Sequence, residues 1–552
     1  MISKEKEPAL FGKENLVSVR SCQLHRACLL TLVFLIAVTP VRAAVPNAKV
    51  YVVLWFDTED YILPASDDAA FRVAEILTHE GIRATFKVVG EKARTLEARG
   101  RADVIAALKK HEIGYHSNFH SFQPSPAMYL ADLGWDEGVA EFDRRERPGY
   151  DDIKRIFGVA PSCYGQPGSS WGPQSYGAMR KWGMDVYLDA GTHIRLDDRP
   201  FYYCGVLNLY KLAYLMRADI TKPQDLSVAE ARFLQACEKL TAEGGGVVSV
   251  MYHPCEFVHK EFWDGVNFRG GANPPRDQWR LPRTKTAEET ATAYHIFEDY
   301  IRFMKRRSDV QFVTASEARK LYRDRARNRS FTRDEIKTIA GSVTPEISFY
   351  RRRDYALSAA EIFVLLSEFV THNTPGSHGS DISLAFAPYG PSERSPTEEN
   401  EVITDSSQFL RTAADVADFV QKHGRIPSTV WLGSKPVAPE GYLLALARMA
   451  IQLMDEGTMP TTISLKPARL AIADQVSSDK PELWRWVIFP PGFHAPALMQ
   501  LAKRQAWSLK PAILQKDKDP SIHIPEKQSS RVRPRDYRLN LACLKDRVAA
   551  SR

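Results

Sequence analysis

The chain has 552 residues, which is enough for two or more domains that each bury a hydrophobic core. Hydrophobic residues make up 44% of it and charged residues 26%, and the net charge is +7, as in an ordinary soluble globular protein. The sequence has no zinc-finger spacing, no arginine-rich recognition helix and no alternation of basic with aromatic residues. We therefore expect no nucleic-acid partner.

A mainly apolar run near the N-terminus predicts export. The run ACLLTLVFLIAV, residues 27–38, has a length that suits the core of a signal peptide better than a membrane-spanning helix. Small residues follow it, and we expect cleavage near Ala43 or Ala44. We predict that residues 1–44 are a signal peptide and that the protein is periplasmic or extracellular. No membrane-spanning segment is expected after cleavage.

Strands and helices are predicted to alternate from residue 45 to residue 323. AKVYVVLWFDTEDY, residues 48–61, reads as a buried strand that ends in acidic residues, and the apolar spacing of residues 69–82 predicts a helix. RATFKVVG, residues 83–90, is the next strand, and the rhythm continues to Arg323. This pattern predicts parallel βαβ units in an α/β barrel, with functional groups at the carboxyl ends of the strands.

The remainder of the chain is predicted to form a second, mainly helical domain. Residues 324–343 are highly charged and are expected to be a linker, followed by an accessory domain over residues 344–526. Residues 527–552 form a basic tail, expected to be a solvated terminus. Residues 409–453 loosely resemble repeats that bind pseudomurein-type cell-wall polymers; the alternative is an accessory helical domain packed on the barrel.

Four polar clusters follow predicted strands of the barrel, in the order FDTED, HSNFH, MDVYLD and MYHPCEF. Hydrolysis by a metal-activated water requires three protein ligands, an open coordination position, a base and an acid. His116 and His120 are four residues apart, a spacing that brings two side chains to one face of a helical turn, and with one carboxylate they would bind a metal ion. A second carboxylate would be the base and His253 the acid. Taken singly, Asp57 could instead cap a helix, and His253 could be an ordinary histidine at a strand end.

Several segments together resemble one enzyme family. LWFDTEDY, IRATFKVVG, HEIGYHSNFHS, MYHP and VQFVTASEARKLY are similar to segments of the polysaccharide deacetylases of carbohydrate esterase family four, also called the NodB-homology domain. The similarity spans about Val50 to Tyr322. It implies a distorted (β/α) barrel that binds zinc or another divalent cation. It also implies removal of acetyl groups from N-acetylated sugars or from acetylated xylan.

The resemblance also implies roles for individual residues. Asp57 matches the family's catalytic base and His253 its catalytic acid. His116 and His120 match the two metal-binding histidines.

The third metal ligand has two candidates. The chain reads Asp57-Thr58-Glu59-Asp60, and alternation along a strand places Asp57 and Glu59 on one face. Glu59 is therefore the favoured ligand. Asp60 is the alternative if the backbone curls away from the strand.

Two motifs depart from the family pattern. In YGQPGSSWG, Gly165 stands where the family has an arginine that orients the base, and Gln166 could supply orientation but not charge. In DVYLDA, the tryptophan of the family motif is missing, and either Asp185 or Asp189 would support His253.

The leading hypothesis is an exported metal-dependent deacetylase that acts on a cell-wall or extracellular polysaccharide. One alternative is a hydrolase of a non-peptide C–N bond in a small amide or cyclic imide. Another is a catalytically inactive glycan-binding protein. Trp484 and Trp486 could line a glycan-binding groove or belong to a core.

Overall fold

The computed structural model describes residues 48–373, 381–395 and 401–515. The predicted signal peptide, residues 1–44, and the predicted basic tail, residues 527–552, lie outside the described residues. Within the described ranges, no helix has both the length and the apolar character needed to cross a bilayer.

The first part of the described chain alternates strands with helices, as its hydrophobic pattern predicts. Its strands are β1 (Val50–Thr58), β2 (Thr85–Val88), β3 (Glu112–Tyr115), β4 (Cys163–Tyr164), β5 (Val186–Leu188), β6 (Phe201–Tyr203), β7 (Val206–Leu209), β8 (Leu215–Met216), β9 (Gly246–Tyr252) and β10 (Val310–Val313). Its helices are α1 (Ala65–His79), α2 (Gly90–Ala98), α3 (Ala102–Leu108), α4 (Pro126–Leu130), α5 (Trp135–Phe157), α6 (Gln174–Trp182), α7 (Leu226–Ala242), α8 (Trp263–Asn267), α9 (Ala287–Lys305) and α10 (Ala315–Leu321).

Strand β1 is buried along its whole length because apolar residues cover both of its faces. Val52 and Leu54 belong to the cluster between the sheet and most of its helices. Val53 and Trp55 belong to a second cluster, with residues of other strands and of α10. This alternation sends every second side chain of β1 to the same face.

The second part of the described chain has a hydrophobic core of its own, which includes Phe363 and Tyr442. Its helices are α11 (Arg333–Gly341), α12 (Ala359–His372), α13 (Ser406–His423) and α14 (Pro439–Asp455). Its short strands are β11 (Ser330–Phe331), β12 (Glu346–Ile347), β13 (Tyr350–Arg351), β14 (Ala356–Leu357), β15 (Ile382–Ser383), β16 (Val402–Asp405), β17 (Val430–Leu432), β18 (Lys435–Val437), β19 (Thr462–Leu465) and β20 (Arg469–Leu470). The region predicted as a linker contributes Phe331 and Ile336 to this core.

The last described residues return to the barrel, where they form α15 (Pro496–Gln505) and β21 (Lys510–Pro511). Leu498 and Leu501 of α15 are buried in the same cluster as β1, and β21 pairs with β6. The region predicted as one accessory domain, residues 344–526, therefore contributes to two cores.

The main sheet has the strand order β8-β9-β1-β2-β3-β4-β5-β7-β6-β21, and β10 pairs with the first half of β1. Neighbours from β8 to β7 are parallel, whereas β6 is antiparallel to β7 and to β21. The predicted distorted (β/α) barrel, followed by a helix-rich region, is confirmed. Parallel pairing brings the carboxyl ends of β1, β3, β4, β5 and β9 to one edge, where the candidate site lies.

A buried ion-pair cluster joins the returning segment to the second part of the chain. The ammonium of Lys510 lies 2.8 Å from Asp324 Oδ2 and 2.7 Å from Glu361 Oε1, and all three side chains are nearly inaccessible. We predict that Lys510→Met leaves two buried carboxylates uncompensated and lowers the free energy of unfolding by about 3–5 kcal/mol.

Urea denaturation followed by circular dichroism measures this effect. The control is Lys239→Ala, because Lys239 is exposed on α7 and its replacement should change stability by about 0.5 kcal/mol or less. An unchanged urea midpoint for Lys510→Met would contradict the prediction.

Candidate active site

The end of β1 delivers two carboxylates to the site, Asp57 and Glu59. Both side chains are buried and lie on the same face of the chain, as alternation predicts. Asp60 is turned away, and its Oδ1 accepts hydrogen bonds from the backbone N–H groups of Ile62 and Leu63, at 3.0 and 3.1 Å. Burial raises the pKa of Asp60 to about 6. Glu59 is thus the carboxylate that faces the histidines.

His116 and His120 converge, but not through a helical turn. His116 directly follows β3, and the residues after it form a loop in which Ser117 and His120 have φ angles of 71° and 58°. The expectation of a helical turn was therefore wrong. Two left-handed residues bend the chain back, and the imidazole centroids lie 5.1 Å apart.

Glu59, His116 and His120 present ligand atoms to one point. Glu59 Oε2 lies 2.8 Å from His120 Nε2 and 3.6 Å from His116 Nε2. The ligand atoms of all three residues lie within 4.8 Å of one another. Two imidazoles and one carboxylate are a donor set that zinc accepts.

The outer contacts of the histidines support ligation. His116 Nδ1 lies 3.0 Å from the carbonyl oxygen of Gly165, which can only accept, so Nδ1 carries the hydrogen and Nε2 keeps its lone pair. His120 Nδ1 lies 2.7 Å from the Ser121 hydroxyl, which leaves its Nε2 facing Glu59 Oε2. The residues present therefore fit a divalent metal ion of the zinc type.

His253 follows β9 and reaches the same cluster. Its Nε2 lies 3.7 Å from Asp57 Oδ2 and 3.8 Å from Glu59 Oε2, and its Nδ1 lies 2.6 Å from Glu256 Oε1. Burial lowers the pKa of His253, but Glu59 and Glu256 outweigh burial and raise it to about 9. Arg217 also pairs with Glu256, whose pKa falls to about 2 although burial opposes the fall.

Glu256, not Asp185 or Asp189, is the partner of His253. Glu256 was missed, although the sequence places it three residues after His253 in a short helical turn. Asp185 is exposed at the start of β5, at the end of the strand remote from the site. Asp189 follows β5 and is buried, but it pairs with a different residue.

That residue is Lys87, the second group that the motifs did not predict. Lys87 lies on β2 in register with Asp57, and its ammonium is 2.8 Å from Asp57 Oδ1 and 3.0 Å from Asp189 Oδ2. Burial raises the pKa of Asp57, but the electrostatic effect of its neighbours, Lys87 among them, outweighs burial, so this pKa lies below its ordinary value. A lysine inside a strand of the predicted parallel sheet was the available signal, because the strands of such sheets are usually buried on both faces and a buried ammonium requires an anion.

Gln166 holds Asp189 in place. Its Nε2 donates to Asp189 Oδ1 at 3.1 Å, and its Oε1 accepts from the Tyr187 hydroxyl at 2.8 Å. Gln166 thus contacts Asp189, and its predicted supporting role stays a prediction.

The site opens into a cavity of about 1240 Å³ that is lined by barrel loops and by residues 482–487. Trp486 lines it, with its ring centroid 5.1 Å from that of His120 and its Nε1 donating to Asp264 Oδ2 at 2.7 Å. Trp484 is buried in the main core. One tryptophan thus faces the cavity and the other packs inside.

The chain is similar in fold to several solved structures. They include a family 4 carbohydrate esterase from Streptomyces lividans in complex with acetate, at 17% identity and a TM-score of 0.25, over 47% of this chain and 90% of that one. Other matches are described as polysaccharide deacetylases or as members of carbohydrate esterase family four, so the likeness in fold agrees with the resemblance seen in the sequence. A mutant of a CE4 family pseudoenzyme with restored enzymatic activity matches at 14% identity and a TM-score of 0.27, over 50% of this chain and 68% of that one.

A structure of Puue allantoinase matches at 14% identity and a TM-score of 0.33, over 50% of this chain and 90% of that one. No family model matches the chain, and no curated protein matches its sequence. The likeness thus concerns the fold of about half of the chain, and the residues of the site carry the functional argument.

Proposed function

We propose that the protein is an exported, metal-dependent hydrolase that removes acetyl groups from a cell-wall or extracellular polysaccharide. The observation that carries the proposal is the convergence of Glu59, His116 and His120 on one point, with Asp57 and His253 beside them. Export rests on the predicted signal peptide, and the polysaccharide substrate rests on the family resemblance and on the volume of the cavity.

The five side chains divide the work of hydrolysis. Glu59, His116 and His120 would hold a zinc-type ion, which when bound polarises a carbonyl and lowers the pKa of a water. Asp57 takes the proton of the attacking water as general base. His253 Nε2 returns a proton to the departing sugar nitrogen, or to the oxygen of an ester, so that acetate leaves.

The test is acetate release by residues 45–552 from chitin oligosaccharides, peptidoglycan and acetylated xylan. Each substrate is assayed after chelation and again after addition of zinc. Zinc-dependent acetate release from one of them supports the proposal and identifies the substrate class.

Two other results would contradict it. If the zinc-loaded protein hydrolyses small amides or cyclic imides but none of the acetylated glycans, it is a different C–N hydrolase. If it binds glycans but hydrolyses neither class with zinc present, it is a glycan-binding protein.

The proposed acid also requires its partner. We predict that Glu256→Gln lowers kcat by about 10²-fold, since Glu256 orients His253 and stabilises its charged form, within the range that general acid catalysis contributes. Zinc content should stay unchanged, because Glu256 contacts none of the three proposed ligands. Steady-state acetate kinetics with metal analysis measure both quantities, and Glu261→Gln, on the cavity rim, is the matched control. A wild-type kcat for Glu256→Gln would refute this role.

A further inference from the structure

We propose that Lys87 is a positioning residue that holds the catalytic base Asp57, and that it supplies from β2 the cation that is missing at Gly165. This inference rests on the proposed function, because Asp57 is a base only if the site is hydrolytic.

Strand pairing places Lys87 beside Asp57. β1 and β2 are parallel neighbours with Asp57 opposite Lys87, so the two side chains project from the same face of the sheet. Lys87 is fully buried, and its ammonium lies 4.2 Å from the ring centroid of Trp55, two residues before Asp57. A lysine in this setting has few conformations left.

The ammonium contacts a different oxygen of Asp57 from the one that faces the acid. Lys87 Nζ lies 2.8 Å from Oδ1, whereas Oδ2 lies 3.7 Å from His253 Nε2. Asp189 Oδ2 contacts the same ammonium from a second direction, at 3.0 Å. Asp189 is itself held by Gln166 and by the backbone N–H of Ala190. These contacts thus hold Oδ1 of Asp57 in place and leave Oδ2 facing His253, on the side where the reaction would occur.

The glycine at position 165 explains why the cation comes from β2. A Cβ atom at Gly165 would lie 2.0 Å from Lys87 Nζ, 2.6 Å from Asp189 Oδ2 and 2.5 Å from the carbonyl oxygen of Leu188. Gly165 does not have a left-handed φ, so space and not backbone conformation requires glycine there. A side chain at 165 and the ammonium of Lys87 would occupy the same volume. An arginine at position 165 therefore does not fit beside Lys87, and Lys87 is the cation that occupies this space.

The test compares Lys87→Met with Lys510→Met. Lys510 is also buried between two carboxylates, Asp324 and Glu361, neither of which belongs to the candidate site, so Lys510→Met is a control for the loss of a buried charge. We expect Lys87→Met to lower kcat by about 10²-fold, the cost of a misplaced catalytic group, with KM within about threefold of wild type and zinc content unchanged. Lys510→Met should lose stability but keep kcat per folded molecule.

Chemical rescue tests the charge itself. Lys87→Ala opens a space beside Asp57 and Asp189, which both line the main cavity. We expect added ethylammonium or propylammonium to raise the kcat of Lys87→Ala at least tenfold, with saturation at high amine concentration. We expect 1-propanol to leave this kcat unchanged. Lys87→Gln, which keeps a polar side chain but has no positive charge, provides a second neutral variant if Lys87→Met does not fold.

The outcomes separate this inference from the proposed function. If the wild-type protein releases acetate and the Lys87 variants keep kcat within about threefold, the inference alone is overturned. Loss of zinc together with kcat would overturn it too, because Lys87 would then support the metal site and not the base. If the wild-type protein releases no acetate from any glycan, both fall together.

Discussion

His120→Ala will remove the bound zinc and lower kcat/KM for acetate release by at least about 10³-fold. His120 Nε2 lies 2.8 Å from Glu59 Oε2, so the substitution removes one of the three proposed ligands from the centre of the cluster. A bound metal contributes several kcal/mol to transition-state stabilisation, and about 1.4 kcal/mol corresponds to a factor of ten. Metal analysis of the purified variant, together with acetate kinetics, measures both effects.

The control for this prediction is His111→Ala. His111 is also buried, but its Nε2 lies 2.9 Å from the carbonyl oxygen of Ala74, away from the ligands. His111→Ala should keep its zinc and its kcat, although packing is lost.

One result would place the metal elsewhere. Asp60, Cys255 and His259 form a second buried group that could hold an ion. Zinc that persists in His120→Ala and disappears in Cys255→Ser would assign the ion to that group, and the proposed ligands would be wrong.

The parts of the site that sequence patterns predict are those that depend on local geometry. Alternation along β1 has a period of two residues, so the shared face of Asp57 and Glu59 could be inferred without a structure. Parallel strands deliver their carboxyl ends to one edge, so His116 and His253 could be expected near them. These inferences needed only the strand pattern and the order of the motifs.

The path between the two metal-binding histidines could not be predicted in this way. A four-residue spacing fits a helical turn, but Ser117 and His120 adopt left-handed φ angles, which nothing in the local sequence requires. The two imidazole rings lie close together as predicted, but the backbone between them is a loop and not a helical turn.

Long-range pairing explains the remaining differences. The register between β1 and β2, which sets Lys87 beside Asp57, is a tertiary property, and so is the pairing of Asp189 with that lysine. Trp486 reaches His120 only because the chain returns to the barrel after the second core. The spacing between sequence motifs does not predict such contacts.

Asp57→Asn separates the base from the metal site. The asparagine keeps the shape of the side chain but cannot accept a proton at neutral pH, so we expect kcat to fall by about 10²- to 10⁴-fold, the usual contribution of a general base. Zinc content should stay at the wild-type level, because Glu59, His116 and His120 remain. Acetate kinetics and metal analysis on the same samples measure both effects.

The informative comparison is Asp60→Asn, which changes another buried carboxylate of the same segment. Asp60 Oδ1 accepts backbone hydrogen bonds that an asparagine oxygen can also accept, so we expect this variant to keep its zinc and most of its kcat. Loss of zinc in Asp60→Asn, with zinc retained in Cys255→Ser, would make Asp60 the third ligand in place of Glu59. A fully metallated Asp57→Asn protein with a kcat within tenfold of wild type would show that another group removes the proton from water. Because each variant alters one carboxylate of a single strand end, the pair distinguishes a base from a ligand.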